Sequence, residues 1–118
     1  PYRKVRDIRT APRRIPPAMK QFDVFAVDDV GEVVAVVVMA GNYYLDLPNV
    51  LVVPLYPVDF PARVTQINPV LELDGTQYVA VVDEAVAIPT GLLTRRIGSL
   101  ADQYTLLTNA LDRLVAGY

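Results

Sequence analysis

The last twenty residues, 99–118, have the pattern of an amphipathic helix, and they constrain the fold more than any other segment. Ser99 offers an N-cap hydroxyl, Asp102 places a negative charge in the first turn, and Gly117 is suited to end the helix. Apolar side chains recur at steps of four and three along one face: Leu100, Tyr104, Leu107, Leu111 and Leu114. No other long helix is predicted. The helix is therefore either a lid that packs on a core built by earlier elements, or a support that presents its free end, residues 115–118, to a partner.

The segments before the helix are typical of short strands. Phe22–Val27 is a first strand, an acidic turn with Gly31 follows, and Val33–Met39 is a second, almost wholly apolar strand. Such an apolar run is expected to be buried on both faces within the fold, or on one face by the fold and on the other by a partner. Val50–Val53 is a third strand, which we expect Pro54 to stop.

The clearest local pattern is a β-hairpin near the middle of the chain. Val70–Leu73 and Gln77–Val82 flank Asp74-Gly75, the preferred sequence for a two-residue hairpin turn. A short strand, Ala85–Ile88, precedes the segment that leads into the helix. Between the third strand and the hairpin, Leu55–Ile67 contains Pro57 and Pro61 and is expected to be a connection rather than a central strand. About six short antiparallel strands followed by one helix predict a mainly β, barrel-like domain of the α+β class.

The composition favours a protein that another subunit covers. Hydrophobic residues make up 53% of the 118 residues and mean hydropathy is +0.29, yet no run approaches the length of a transmembrane helix. The surplus of apolar side chains in so small a domain predicts an apolar surface buried by a partner. Cysteine is absent, which fits a cytoplasmic protein without disulfides.

The charge is divided unevenly along the chain. Residues 1–18 carry six basic side chains and one acidic, a balance of +5, whereas residues 19–118 carry five basic and twelve acidic, a balance of −7. With four prolines and no apolar periodicity, residues 1–18 are predicted to be a flexible basic leader, and the domain to span residues 19–118, starting at Met19. The leader is then an upstream extension or an addition to the natural chain, or else an arm that contacts nucleic acid or an acidic partner. The acidic domain itself is not expected to bind nucleic acid directly.

The residue types present argue against catalysis. The chain has no histidine, so it lacks the commonest general base, and its serine and threonines have no partner for a hydrolase triad. The acidic clusters around Asp28-Asp29 and Asp83-Glu84 stand where turns are expected and lack the spacing of metal ligands. Tyr43-Tyr44 occupy a predicted loop, where they could stack on a base, but beside acidic residues they favour the edge of the core or a protein contact. We therefore predict no enzyme activity, no metal and no cofactor, and a function that consists of binding.

Several short motifs, in this order and spacing, resemble the CcdB family of plasmid and chromosomal toxins. They are Met19-Lys20-Gln21-Phe22, Asp46-Leu47-Pro48, Val53-Pro54-Leu55, Asn68-Pro69-Val70, Ala87-Ile88-Pro89 and the terminal helix. The resemblance spans residues 19–118. It implies an SH3-like antiparallel barrel of the CcdB, MazF and Kid type, with a C-terminal helix. It also implies a homodimer, poisoning of the DNA gyrase A subunit, and a CcdA-like antitoxin whose disordered C-terminal tail wraps the toxin.

The same resemblance suggests which residues contact the target. Family toxins end in Trp-Gly-Ile and stack the tryptophan on a gyrase arginine, and the matching residues here are Ala116, Gly117 and Tyr118. Arg113 lies one turn earlier and joins this gyrase-binding set. The loss of a tryptophan stacking anchor typically costs about 2–4 kcal/mol of binding free energy, part of which Tyr118 would restore. The apolar helix residues assigned to the core or dimer interface are Leu107, Leu111 and Leu114.

Three functions remain open at this point. The first is a CcdB-type gyrase poison that acts through protein contact. The second is a non-toxic or retargeted dimeric binding domain that still engages an antitoxin-like partner. The third is an mRNA endonuclease of the MazF/Kid type, which the acidic body and the absence of an evident acid–base pair beside a basic groove disfavour.

Overall fold

The structure, a computed structural model, describes residues 19–40, 47–58 and 68–116. The predicted leader, the loop tyrosines 43 and 44, and the last two residues lie outside these ranges. The described residues form seven strands, three short 3₁₀ turns and one α-helix. The regular elements are β1 (Asp23–Val30), β2 (Val33–Val38), β3 (Asn49–Pro57), β4 (Val70–Leu73), β5 (Thr76–Ala80), β6 (Val86–Pro89), β7 (Arg96–Ser99) and α1 (Tyr104–Ala116).

The strands form one antiparallel sheet in the order β4-β5-β3-β2-β1-β7, with β6 paired to β3 beside β5. The two ends of the sheet meet. Gly98 of β7 lies against Leu73 of β4 so closely that a Cβ at residue 98 would stand 2.7 Å from a Leu73 methyl group. The sheet therefore curls into a half-barrel with a C-terminal helix, and the predicted fold class is confirmed.

The apolar run of β2 is buried on both faces within this one chain. Val37 belongs to the main core, which also contains Leu55, Leu71 and Leu107, whereas Val36 and Val38 belong to a second cluster on the other face of the sheet. This resolves the alternative left open by the sequence, because residues 35–38 are at most 7% exposed without any second subunit. Surfaces available to a partner must be sought elsewhere.

The β4–β5 hairpin is confirmed, and its turn has the conformation that Asp-Gly predicts. Asp74 and Gly75 have φ angles of 52° and 83°, the left-handed region that a type I′ turn requires at both central residues. Strand β5 ends at Ala80, two residues before the predicted end, because residues 82–84 turn into a short 3₁₀ segment. Here the buried Asn68 side chain accepts a hydrogen bond from the Val82 amide at 3.1 Å.

The prediction that Pro54 ends the third strand is wrong. Strand β3 continues through Pro54 to Pro57, so the first residues of the predicted connection lie in the centre of the sheet. The Pro54 carbonyl accepts the Val81 amide at 3.0 Å, and a strand residue directs its N and O atoms to the same edge. On this edge β3 pairs with β6 as far as Val52 and with β5 from Leu55 onward. The position of the missing N–H of Pro54 therefore falls at the gap between these two partner strands. A proline is tolerated there because no ladder hydrogen bond is lost.

Candidate interaction site at the end of the C-terminal helix

The N-terminal end of the helix segment is anchored firmly to the sheet. The Ser99 hydroxyl accepts the Ala101 amide at 3.1 Å, but Ser99 is the last residue of β7 and not the predicted N-cap. The N-cap is Leu100, and a 3₁₀ turn, Ala101–Gln103, precedes the α-helix proper. Leu100 is fully buried and its amide donates to the Phe22 carbonyl at 2.9 Å. These contacts fix the direction in which α1 leaves the sheet.

Gln103 adds a second anchor, at the edge of the sheet. Its side-chain amide donates to the Glu72 carbonyl at 2.7 Å and accepts the Glu72 amide at 3.0 Å. Because Glu72 lies in β4, an end strand of the sheet, its backbone N–H and C=O point away from β5, and the Gln103 side chain satisfies both. The start of the helix is thus held by hydrogen bonds to backbone groups of the sheet as well as by apolar packing.

The other end of the helix is more exposed than its start. Leu107 and Ala110 are buried in the main core and Leu111 packs against it. Leu114 follows Leu107 by seven residues and so points within about 20° of the same direction, yet 38% of it is exposed, and Val115 is 81% exposed. The last turn therefore presents apolar side chains that the domain does not cover.

The predicted stripe is rotated slightly relative to the structure. Tyr104 is 55% exposed, and its ring lies beside that of Phe22, with centroids 6.1 Å apart. Ala110, which was not predicted to face the core, takes its place. Sequence reasoning also missed Leu106, which is about half exposed. Its position off the stripe was the available indication of a contact surface.

The structure brings two of the predicted target-binding residues together. Arg113 and Ala116 are three residues apart and adjacent on the exposed surface of the last described turn. Arg113 has no ion pair among the described residues, and a cation in the last turn of a helix is favoured by the helix dipole. Gly117 and Tyr118 lie outside the described residues. A free guanidinium beside Leu114 and Val115 is suited to contact another protein.

Asp83 and Glu84 lie in a short 3₁₀ turn, but the expectation that Asp28 and Asp29 belong to a turn after Val27 is wrong. Strand β1 continues to Val30, and the two aspartates lie where its register with β2 shifts, with Asp29 at a φ of 58°. Asp28 pairs with Arg95 at 3.3 Å. Glu84 accepts a hydrogen bond from the buried hydroxyl of Tyr56. Within residues 19–40, 47–58 and 68–116 no group of acidic side chains is arranged to hold a metal ion. None of the helices in the same ranges is long and apolar enough to cross a membrane.

Comparison with protein families decides where this chain belongs. The family model described as "CcdB protein" matches residues 21–117, which is most of the chain. The chain belongs to the CcdB family. Membership places it among the toxins of toxin–antitoxin modules.

Comparison with solved structures shows that another protein has the same fold as this CcdB-family chain. A structure titled "Endoribonuclease in complex with its cognate antitoxin from Mycobacterial species" matches with a TM-score of 0.68 and 16% sequence identity. The match covers 84% of this chain and 96% of that one. At this identity the likeness shows a shared fold. No curated protein matches the CcdB-family chain in sequence.

Proposed function

We propose that this CcdB-family toxin inhibits DNA gyrase by binding it through the end of the C-terminal helix, acting by contact rather than by catalysis. The observation that carries the proposal is the uncovered last turn, where Val115 is 81% exposed beside the cation of Arg113. The binding set comprises Arg113, Ala116, Gly117 and Tyr118. Because Gly117 has no side chain, it allows the partner to approach the backbone closely, and Tyr118 supplies the largest group.

The toxin is further proposed to be a homodimer that a CcdA-like antitoxin neutralises through a disordered tail. The structural neighbour is itself described as bound to its cognate antitoxin, which supports an antitoxin partner for this fold. Exposed apolar residues on the helix, Leu106 and Leu114 among them, supply a surface for a second copy.

The alternative is a retargeted CcdB-fold dimer that binds partners but not gyrase. The observation that favours it is the residue at the family's terminal tryptophan position, which is Ala116 here. Without the stacking ring the contact loses its usual anchor, and Tyr118 is displaced from it by two residues. Toxicity through gyrase and binding of an antitoxin are thus separable.

Calorimetry with the purified breakage–reunion domain of gyrase tests the proposal. Deleting residues 116–118 should abolish binding and leave the fold unchanged, because Leu107, Ala110 and Leu111, the core contacts of the helix, are untouched. Ala116→Trp should tighten binding by about 1–3 kcal/mol by restoring the anchor. Thr94→Trp, which adds the same ring at an exposed position outside the helix, is the matched control and should have no effect.

Two outcomes would redirect the assignment. If neither the natural chain nor Ala116→Trp binds gyrase while both are folded, the gyrase proposal fails and the retargeted dimer remains. Overexpression then distinguishes the two further, since a gyrase poison arrests growth with trapped gyrase–DNA complexes. Cleavage of single-stranded RNA by the purified chain would instead assign the endonuclease activity named for its structural neighbour.

A further inference from the structure

A second uncovered surface surrounds the tip of the β1–β2 hairpin, and no residue of the helix lines it. Two grooves flank the tip. One, of about 220 Å³, is lined by Val27, Val30 and Leu92 together with the ion pair of Asp28 and Arg95. The other, of about 690 Å³, is lined by the apolar Val34, Pro57, Val58 and Tyr78 and by polar residues of the β4–β5 hairpin, Glu72 among them. Leu92 is 64% exposed and Val30 50%. We call these two grooves and the turn between them the hairpin-tip surface.

The hairpin-tip surface is acidic as well as apolar. Asp28, Asp29 and Glu32 lie at the tip, and Glu72 lines the larger groove. Asp28 is paired with Arg95, but the other three carboxylates have no ion pair among the described residues. An apolar floor bordered by uncompensated negative charge is complementary to a basic segment in which apolar side chains are interleaved.

Residues 1–18 of this chain have that chemistry. Their balance of charge is +5, and Val5, Ile8 and Ile15 are interleaved with the basic side chains. In the domain, residues 19–118, no comparable run of basic residues occurs. The acidic hairpin-tip surface and the basic leader therefore belong to one molecule, and their association would bring opposite charges together.

The segment also starts close enough to reach. Met19 packs against the outer cluster that contains Phe25 and Leu93, so residue 18 joins the domain near the first residue of β1. From Asp23 to Val30 the strand advances about 23 Å, at about 3.3 Å per residue. An extended segment of this length spans about 60 Å, so roughly seven residues cover the distance and the rest are free to lie along the surface. The covalent tether raises the effective concentration of the segment to the millimolar range, at which weak contacts are sufficient.

We infer that the hairpin-tip surface binds the chain's own basic leader, residues 1–18. The apolar side chains of the leader lie in the grooves and its arginines contact Asp29, Glu32 and Glu72. This contact is independent of the helix end, so it stands or fails separately from gyrase binding.

Paramagnetic relaxation in the full chain tests the contact, and the absence of cysteine makes a single label straightforward. A nitroxide on Thr10→Cys should weaken the amide signals of Val30, Glu32, Val34 and Leu92 selectively. Asp29→Asn with Glu32→Gln should restore those signals, and asparagine tolerates the positive φ of 58° at residue 29. The matched control, Asp83→Asn with Asp112→Asn, removes the same charge from exposed positions elsewhere and should leave the effect intact.

Three results would overturn the inference. The first is signal loss spread evenly over the domain, and the second is loss centred on the helix. The third is equal loss at the tip when the label is on one molecule and the observed isotope on another, which would assign the contact to a second copy. A native spectrum for each variant confirms that the domain is folded.

Discussion

Asp23 is the one buried carboxylate among the described residues, and its surroundings explain how it is accommodated. It is 2% exposed, accepts the Lys20 amide at 2.8 Å, and pairs with Arg96 at 3.1 Å. The partners are unequal, because 52% of the Arg96 side chain remains exposed. Arg96 can return to water when the pair is broken, whereas Asp23 cannot. The pair also joins β1 to β7, the strand that the sequence did not predict.

We expect Asp23→Asn to lower the free energy of unfolding by about 1–3 kcal/mol. The asparagine oxygen can still accept one hydrogen bond, but its NH₂ group then faces either a guanidinium or a backbone N–H, which are all donors. Denaturant unfolding measures the loss. Asp28→Asn is the control, since it breaks an exposed pair of similar distance and should change stability by no more than about 0.5 kcal/mol. Equal effects of the two substitutions would contradict this account.

At the scale of elements, the features predicted from sequence are those set by local pattern. The β4–β5 hairpin follows from Asp74-Gly75, and the helix from the spacing of Leu100, Leu107 and Leu111, because both depend on residues close together in the chain. The course of β3 through Pro54 depends on a change of partner strand that local sequence does not contain. Likewise β7 contains a glycine and two polar residues, and it is a strand only because β1 pairs with it.

The candidate site divides in the same way. An amphipathic helix with Arg113 near its end was visible in the sequence. The exposure of its last turn was not visible, since the 38% exposure of Leu114 depends on packing against residues distant in the chain. The Gln103 anchor that directs the helix was also hidden, because it joins residues 31 positions apart.

We expect Gln103→Ala to destabilise the domain by about 1 kcal/mol, since two backbone hydrogen bonds of Glu72 are exchanged for water. Hydrogen exchange at the Glu72 amide should accelerate, and denaturant unfolding should show the loss. Gln103→Glu keeps the acceptor for the Glu72 amide but sets a carboxylate against the Glu72 carbonyl, so it should not rescue stability. Asn109→Ala is the control. It removes an exposed side-chain amide on the helix that makes no hydrogen bond to another described residue, so hydrogen exchange at the Glu72 amide should be unchanged. Unaltered exchange in Gln103→Ala would show that the anchor contributes nothing.

At the scale of the whole molecule, the location of exposed apolar residues changes the argument for a dimer. The apolar run of β2 supplied the first reason to expect a partner, but most of that run is covered within one chain. The large apolar residues that remain exposed on the helix are Tyr104, Leu106, Leu114 and Val115. We propose that a second copy is held through the helix, on the side that continues from the core.

The proposed homodimer should sediment at micromolar concentration with about twice the chain mass of 13.0 kDa. We expect Leu114→Lys to shift it to the monomer, because a charge would then be buried against apolar surface of the second copy. Since Leu114 is already 38% exposed, the same substitution should cost the isolated domain little stability. Asn109→Lys introduces the same side chain on the opposite side of the helix and should leave the dimer intact. A natural chain that sediments as a monomer would refute the homodimer. If the Leu114→Lys variant stays dimeric, the dimer interface does not include the end of the helix, and that end is available to the target alone.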